Sequence, residues 1–298
     1  MVQHQLVVNA CDMEQLTASI GRIRRMRMRL HDENMRDLIG SIEGLPVLPA
    51  VCRELNSIMA RQDFAMRDLA LVIEKDPSLC AKLLQVVNSS FFSVGRKMST
   101  VQDAIAYLGT TMLKNLVMSV SLWRSLEEAR PEAISRLQRV HTRCQRVAAL
   151  SRKLMSSSRT RAEEAFVAGL LHDIGETLLI VYLPERWERA TKQSQATGKP
   201  LHEVEQELYH VDHAELGAHL LDAWGLPFPV LEAVAFHHTA PELEHTSLET
   251  ADAVYIAEAL VHARDTGANP ELALDKAYLE RLDVADQVRN FVRLLSEP

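Results

Sequence analysis

The spacing of apolar residues constrains this chain most, because they recur every three to four positions over long stretches. Leu69, Ala70 and Ile73 follow Met66 at i+3, i+4 and i+7, and Leu113, Leu116, Val117, Val120 and Trp123 repeat the pattern. That period is the one at which a helix turns, so each run forms one buried stripe. Helix boundaries are written beside the stripes. Asp76-Pro77 reads as an N-cap and first helical residue ahead of Leu79, Leu83, Leu84 and Val87. Thr100 with Asp103 resembles a capping box before Ala104, Ile105 and Leu108, and Gly109 stops that helix. No run of alternating residues marks a strand. The chain has 11 glycines and 11 prolines in 298 residues, well under the roughly 12 % of an average protein, too few for the turns of a β-sandwich or barrel. The expected fold is all-α.

Residues 13–40 read as one long helix carrying Arg22, Arg24, Arg25, Arg27 and Arg29, a solvated face before it is a site for an acidic partner. Gly44-Leu45-Pro46-Val47-Leu48-Pro49 breaks the series, since each proline holds its predecessor in extended geometry. A second interruption at Arg130-Pro131 suggests a subdomain boundary, and Ser156–Ser158 and Thr197–Pro200 read as loops. The resulting division is an N-terminal extension over 1–37, a helical bundle over 38–130, a second helical lobe over 131–265 and a helical tail over 266–298.

The net charge of −7 offers no global attraction for nucleic acid or an acidic membrane, and the arginines near the N-terminus are the sole basic cluster. Cysteines 11, 52, 80 and 144 are far apart and form no CxxC pair, which fits reduced thiols in a cytoplasmic protein. The N-terminus lacks the basic start of a signal peptide, and no stretch is expected to match the ~18 apolar residues of a membrane helix.

Chemistry concentrates in the second half. Ala165–Glu176, AFVAGLLHDIGE, reads as an apolar helix that delivers His172 and Asp173 side by side and ends near Gly175. Adjacent helical residues point about 100° apart, so an imidazole and a carboxylate there can reach one metal ion. His31-Asp32 shows that the dipeptide alone is weak evidence. His141 lies 31 residues upstream of His172. Downstream, Asp212 and Glu215 frame His213 as a capping box, Pro229 opens a helix ending at His237-His238, and Asp252 sits in a later helix. Taken singly, each histidine also suits a structural or exposed role. The candidate ligand set is His141, His172, Asp173, His213, His237, His238 and Asp252, whose mixed donors suit Fe, Mn, Ni or Zn better than Ca.

The order His141 … His172-Asp173 … Asp252 resembles the signature of the HD superfamily of metal-dependent phosphohydrolases. His213, His237 and His238 match the additional ligands of its HD-GYP branch, which holds two or three metals and cleaves cyclic dinucleotides. Two departures stand against that branch. Glu176 follows His-Asp-Ile-Gly where a phosphate-contacting lysine is usual, and the residues after His238, Thr-Ala-Pro-Glu-Leu, lack the Asp-Gly-x-Gly-Tyr-Pro run. A carboxylate there repels an anionic substrate.

Over residues 38–264 the chain is similar to the HDOD family. The matching blocks are Leu45-Pro-Val-Leu-Pro49, Asp76-Pro-Ser-Leu79, Asn88-Ser-Ser-Phe-Phe92, Ala104-Ile-Ala-Tyr-Leu-Gly109, Ala168-Gly-Leu-Leu-His-Asp-Ile-Gly175, His213-Ala-Glu-Leu-Gly217, Trp224-Gly-Leu-Pro227 and His237-His238. The resemblance implies an N-terminal helical bundle packed on an HD-like lobe, serving bacterial signalling as a regulatory module. Other signalling proteins are its expected partners, through the N-terminal helical part, and a nucleotide ligand is compatible with the HD relationship. The retained ligands imply one or two divalent ions and keep a phosphohydrolase as the alternative, in which Asp173 would be catalytic. Residues 4–40 are also similar to the last strand and helix of a receiver domain.

Overall fold

In the computed structural model, residues 21–24, 26, 30, 32–42, 44–61, 63–89 and 97–296 are described. Among them are sixteen α-helices and no strand. The receiver-like strand, Cys11 and much of the Asn88–Phe92 block lie outside the described residues.

The first group of helices is α1 (Glu33–Gly40), α2 (Ala50–Met59), α3 (Met66–Glu74), α4 (Pro77–Val87), α5 (Val101–Leu108) and α6 (Thr110–Ala129). Their caps follow local chemistry. Leu79 N donates to Asp76 Oδ1 at 3.0 Å, and Asp103 N donates to Thr100 Oγ1 at 3.0 Å. Gly109 adopts φ +82°, ending α5 and starting α6 in one residue. Leu69, Ala70, Val72 and Ile73 bury the inner face of α3, while Met66, the first residue of its expected stripe, is 56 % exposed.

The expected helix over 13–40 is not continuous in its described part. Asp32 has extended backbone and accepts from Met35 N at 2.8 Å, so a new helix, α1, begins there. Ahead of it the helical segment docks on the second lobe instead of facing water throughout. Met26 and Leu30 are buried, the Leu30 carbonyl lies 2.7 Å from His219 Nδ1, and Arg22 Nε donates to Glu232 Oε1 at 3.2 Å.

After a short 3₁₀ turn at Pro131–Ala133 come α7 (Ile134–Leu154), α8 (Arg159–Leu171), α9 (Ile174–Tyr182), α10 (Pro184–Thr197), α11 (Leu201–Tyr209), α12 (His213–Ala223), α13 (Phe228–Ala235) and α14 (Thr250–Thr266). Two further helices, α15 (Lys276–Arg281) and α16 (Ala285–Ser296), close the chain. Helices α7, α8 and α14 pack on one another, α13 packs on α8 and α14, and α9 packs on α12. Gly169 lets α8 approach α7, since a Cβ there would stand 2.5 Å from Ala148 Cα. Helix α6 packs on α8 and α9, so one hydrophobic core runs through both groups of helices.

Contrary to expectation, Arg159–Tyr182 is apolar enough over an 18-residue window to match a membrane span, with mean hydropathy 1.4. That window is 94 % buried within the fold, and the segment is broken between α8 and α9 at His172-Asp173. It is the central core segment of the helical lobe.

Candidate functional site

The apolar α8 ends at Leu171, four residues before the Gly175 at which the sequence pattern places its end, and α9 starts at Ile174. His172 and Asp173 therefore occupy a buried corner between two core helices, where both side chains are at most 1 % exposed. Across from them, Asp212 caps α12 by accepting from Glu215 N at 2.9 Å, and Asp212 N donates back to Glu215 at 3.3 Å. This box fixes His213 as the first residue of α12. His237 and His238 follow the end of α13 in a turn, not on the helix itself.

Five of the seven expected residues meet here: His172, Asp173, His213, His237 and His238. Three imidazoles are oriented through Nδ1. His172 Nδ1 is 2.8 Å from the Gly169 carbonyl, His237 Nδ1 is 2.8 Å from the Val234 carbonyl, and His213 Nδ1 is 2.6 Å from Glu205 Oε2. Each acceptor holds a proton on Nδ1 and turns Nε2 inward. His172 Nε2 lies 2.9 Å from Asp173 Oδ2, while His213 and His237 Nε2 lie 3.6 and 3.5 Å from Asp173 Oδ1. Although so close to a carboxylate, His172 Nε2 and His237 Nε2 are buried without a hydrogen bond of good geometry. His238 Nε2 completes the group, 2.9 Å from His213 Nε2. Ligand atoms of His213, His237 and His238 lie within 4.8 Å of one another, as do those of Asp173, His237 and Glu258. Inward imidazole nitrogens around a carboxylate, each oriented from behind by an acceptor, are the donor chemistry of a divalent metal site.

The electrostatics match that density of charge. Burial works against a charged His213, but Glu205 and then Asp173 outweigh it and push its pKa up to about 10. Burial likewise opposes charge on His172, and Asp173 reverses it, holding that imidazole well above its ordinary value. Asp173 is held well below the usual carboxylate range: burial opposes this, and Arg143 and then His172 overcome it. His238, half-buried and facing His237 and His213, is pushed well below 6.5 by desolvation and by those two imidazoles.

His141 and Asp252 are not brought to this cluster. His141 stacks on Trp123, with ring centroids 4.4 Å apart, on the side of α7 away from Asp173. Asp252 has a different task in the first turn of α14. It accepts from Glu249 N at 2.9 Å and Tyr278 Oη at 2.7 Å and lies 2.7 Å from His245 Nδ1, which ties the tail helix α15 to the lobe.

Two residues absent from the expected set stand in those places. Arg143, two positions after His141, reaches the corner from α7, and Glu258 reaches it from α14, six positions after Asp252. Residues two apart on a helix point about 200° apart, so His141 and Arg143 cannot share a face. Arg143 Nε donates to Asp173 Oδ2 at 2.8 Å, and a terminal nitrogen of Arg143 donates to Glu176 Oε2 at 2.5 Å. Glu176 Oε1 accepts from Trp187 Nε1 at 3.2 Å. His202, also missed, stacks on His238 with centroids 4.1 Å apart. A cavity of about 810 Å³ opens over the cluster, lined by Asp173, Glu176, His202, His238, Tyr255 and Glu258 among others.

The fold and sequence have known counterparts. A provisionally named phosphohydrolase of Shewanella amazonensis superposes with a TM-score of 0.66 at 21 % identity, covering 90 % of this chain and 96 % of that one. An HDOD domain protein of unknown function from Geobacter sulfurreducens gives a TM-score of 0.61 at 19 % identity, covering 89 % and 97 %. At these identities the likeness is one of fold. An uncharacterized protein of Treponema pallidum (strain Nichols) is 28 % identical over 202 residues, 67 % of this chain, and the match spans 39 % of that relative's length. The HDOD domain model matches residues 45–240, inside the 38–264 where the sequence blocks occur. The chain belongs to the HDOD family.

Proposed function

We propose that this chain is a regulatory module of bacterial signal transduction whose second lobe binds a divalent metal ion, Fe, Mn, Ni or Zn. Asp173, His213, His237 and His238 would hold the ion, with His172 against the other oxygen of Asp173. The observation that carries this reading is the orientation of three imidazoles by Gly169, Val234 and Glu205, which turns their Nε2 atoms toward one carboxylate. The N-terminal helical part, with its exposed Val47 and Leu71, is the proposed surface for another signalling protein.

The second reading, a metal-dependent phosphohydrolase, draws support from the cavity over the cluster, which has room for a nucleotide-sized ligand. A bound metal supplies Lewis acidity and a water of lowered pKa to such chemistry. The charges around the cavity argue for the regulator. Glu176 and Glu258 face it, and the guanidinium of Arg143 is engaged by Asp173 and Glu176. An incoming phosphate meets carboxylates there.

The test is turnover of bis(p-nitrophenyl) phosphate and a nucleotide panel by protein loaded with each of the four metals, beside Asp173→Asn. The regulator reading predicts no difference between wild type and variant. Turnover by the wild type that the variant loses would replace it with the hydrolase.

A further inference from the structure

The two oxygens of Asp173 face different surroundings. Oδ1 faces His213 and His237, with His238 adjoining. Oδ2 faces His172 and the side of the corner supplied by α7, where the Cys144 sulfur also lies within 4.8 Å of His172 and Asp173. Such a carboxylate is shaped to lie between two cations. On the α7 side one is already present, because Arg143 meets Oδ2 through Nε at 2.8 Å and through a terminal nitrogen at 2.5 Å. The same guanidinium also carries Glu176, which Trp187 holds from its other oxygen.

Resting on the metal-site reading above, we infer that Arg143 is the resident cation of the α7 half of the centre, so that the site takes a single metal ion, on the side of Asp173 Oδ1, His213, His237 and His238. A guanidinium has five N–H donors, a permanent charge and no lone pair. It neutralises Asp173 and Glu176 as an ion would, yet offers no open position for a water ligand. The arrangement therefore supplies the charge balance of a two-cation centre without the paired ions of a two-metal clamp. It also accounts for Glu176: the carboxylate that departs from the phosphate-binding pattern is the second anchor of the arginine.

The test counts ions in the full-length protein. Wild type, Arg143→Lys and Arg143→His are stripped with chelator, loaded with Mn(II) or Zn(II), and measured by isothermal titration and elemental mass spectrometry, with circular dichroism reporting the fold. About one ion per chain is expected in wild type and in Arg143→Lys, which keeps a cation in place. Arg143→His, which exchanges the cation for an imidazole ligand, is expected to take about two. Should that variant not fold, Arg143→Ala opens the same space and is expected to show a second, weaker binding event. Two ions in wild type, or a folded His or Ala variant that still binds one, overturns the role of Arg143 and leaves the metal site standing. No ion in wild type or in any variant overturns the metal site itself.

Discussion

Gly175 lies against the backbone of His213: a Cβ on Gly175 would stand 1.8 Å from the His213 carbonyl oxygen and 2.7 Å from Gly217 N. This crossing of α9 and α12 brings His213 up to Asp173, two residues before Gly175. Substituting Gly175→Ala must push the helices apart. It is expected to destabilise the fold by about 1–3 kcal/mol or more and to weaken metal binding with it. Urea unfolding and metal titration check both, and an unaltered midpoint would show that the crossing yields freely.

Orientation of His213 depends on Glu205, which is fully buried and accepts from both His213 Nδ1 and the His213 backbone N–H. Glu205→Gln keeps the shape but lacks the charge that favours a basic imidazole. Metal affinity is expected to fall roughly 10–100-fold, as for other partners that orient a ligating histidine. Calorimetric titration measures it.

Arg22 and Glu232 join the N-terminal helical segment to α13. Glu232 is 6 % exposed, and its pKa is raised chiefly by burial, against which His245 and Arg22 act. Arg22→Ala is expected to cost about 1–3 kcal/mol because it removes a charged partner from a buried carboxylate. Arg22→Ala combined with Glu232→Gln should recover part of that loss in chemical denaturation. A double variant no more stable than Arg22→Ala would contradict the pairing.

Burial, with a smaller contribution from Lys82, pushes the His141 pKa from 6.5 down to about 4. The unfolded chain therefore binds this proton more readily than the folded one between those values. Stability from a neutral His141 is present above pH 6.5 and is lost as the pH falls through 6.5 toward 4, by about 3 kcal/mol. His202, also lowered to about 4 by burial and then His213, acts in the same direction. His141→Phe keeps a ring on Trp123 and should flatten this pH dependence. An unchanged slope would assign it to other groups.

Much of the fold was legible because caps are local chemistry. Asp76, Thr100 and Asp212 each bond a backbone N–H three residues on, as their spacing implies. The site was legible where a residue's neighbours in sequence also fix its direction, as at His172-Asp173 and His213. It failed where direction depends on which helix face turns inward. On α7 the buried stripe is Leu137, Val140, Cys144, Val147, Ala148 and Ser151. Arg143 borders it on the side of Asp173 and His141 on the side of Trp123. That stripe, and not the order of the histidines, sets which side chain of α7 faces the corner. Asp252 failed for another reason: its partners His245 and Tyr278 come from segments that only the tertiary fold brings together. Glu258 and His202 carry no sequence pattern of their own, and their place comes from the packing around the cavity.

The central claim is that the buried corner at Asp173 binds a divalent metal. Elemental mass spectrometry of chelator-stripped, Mn-, Fe-, Ni- or Zn-reconstituted wild type beside Asp173→Ala tests it most directly. The account predicts a stoichiometric ion in the wild type that is absent from a folded Asp173→Ala. A wild type that retains none of the four ions, or a variant that retains the same ion equally, would contradict it.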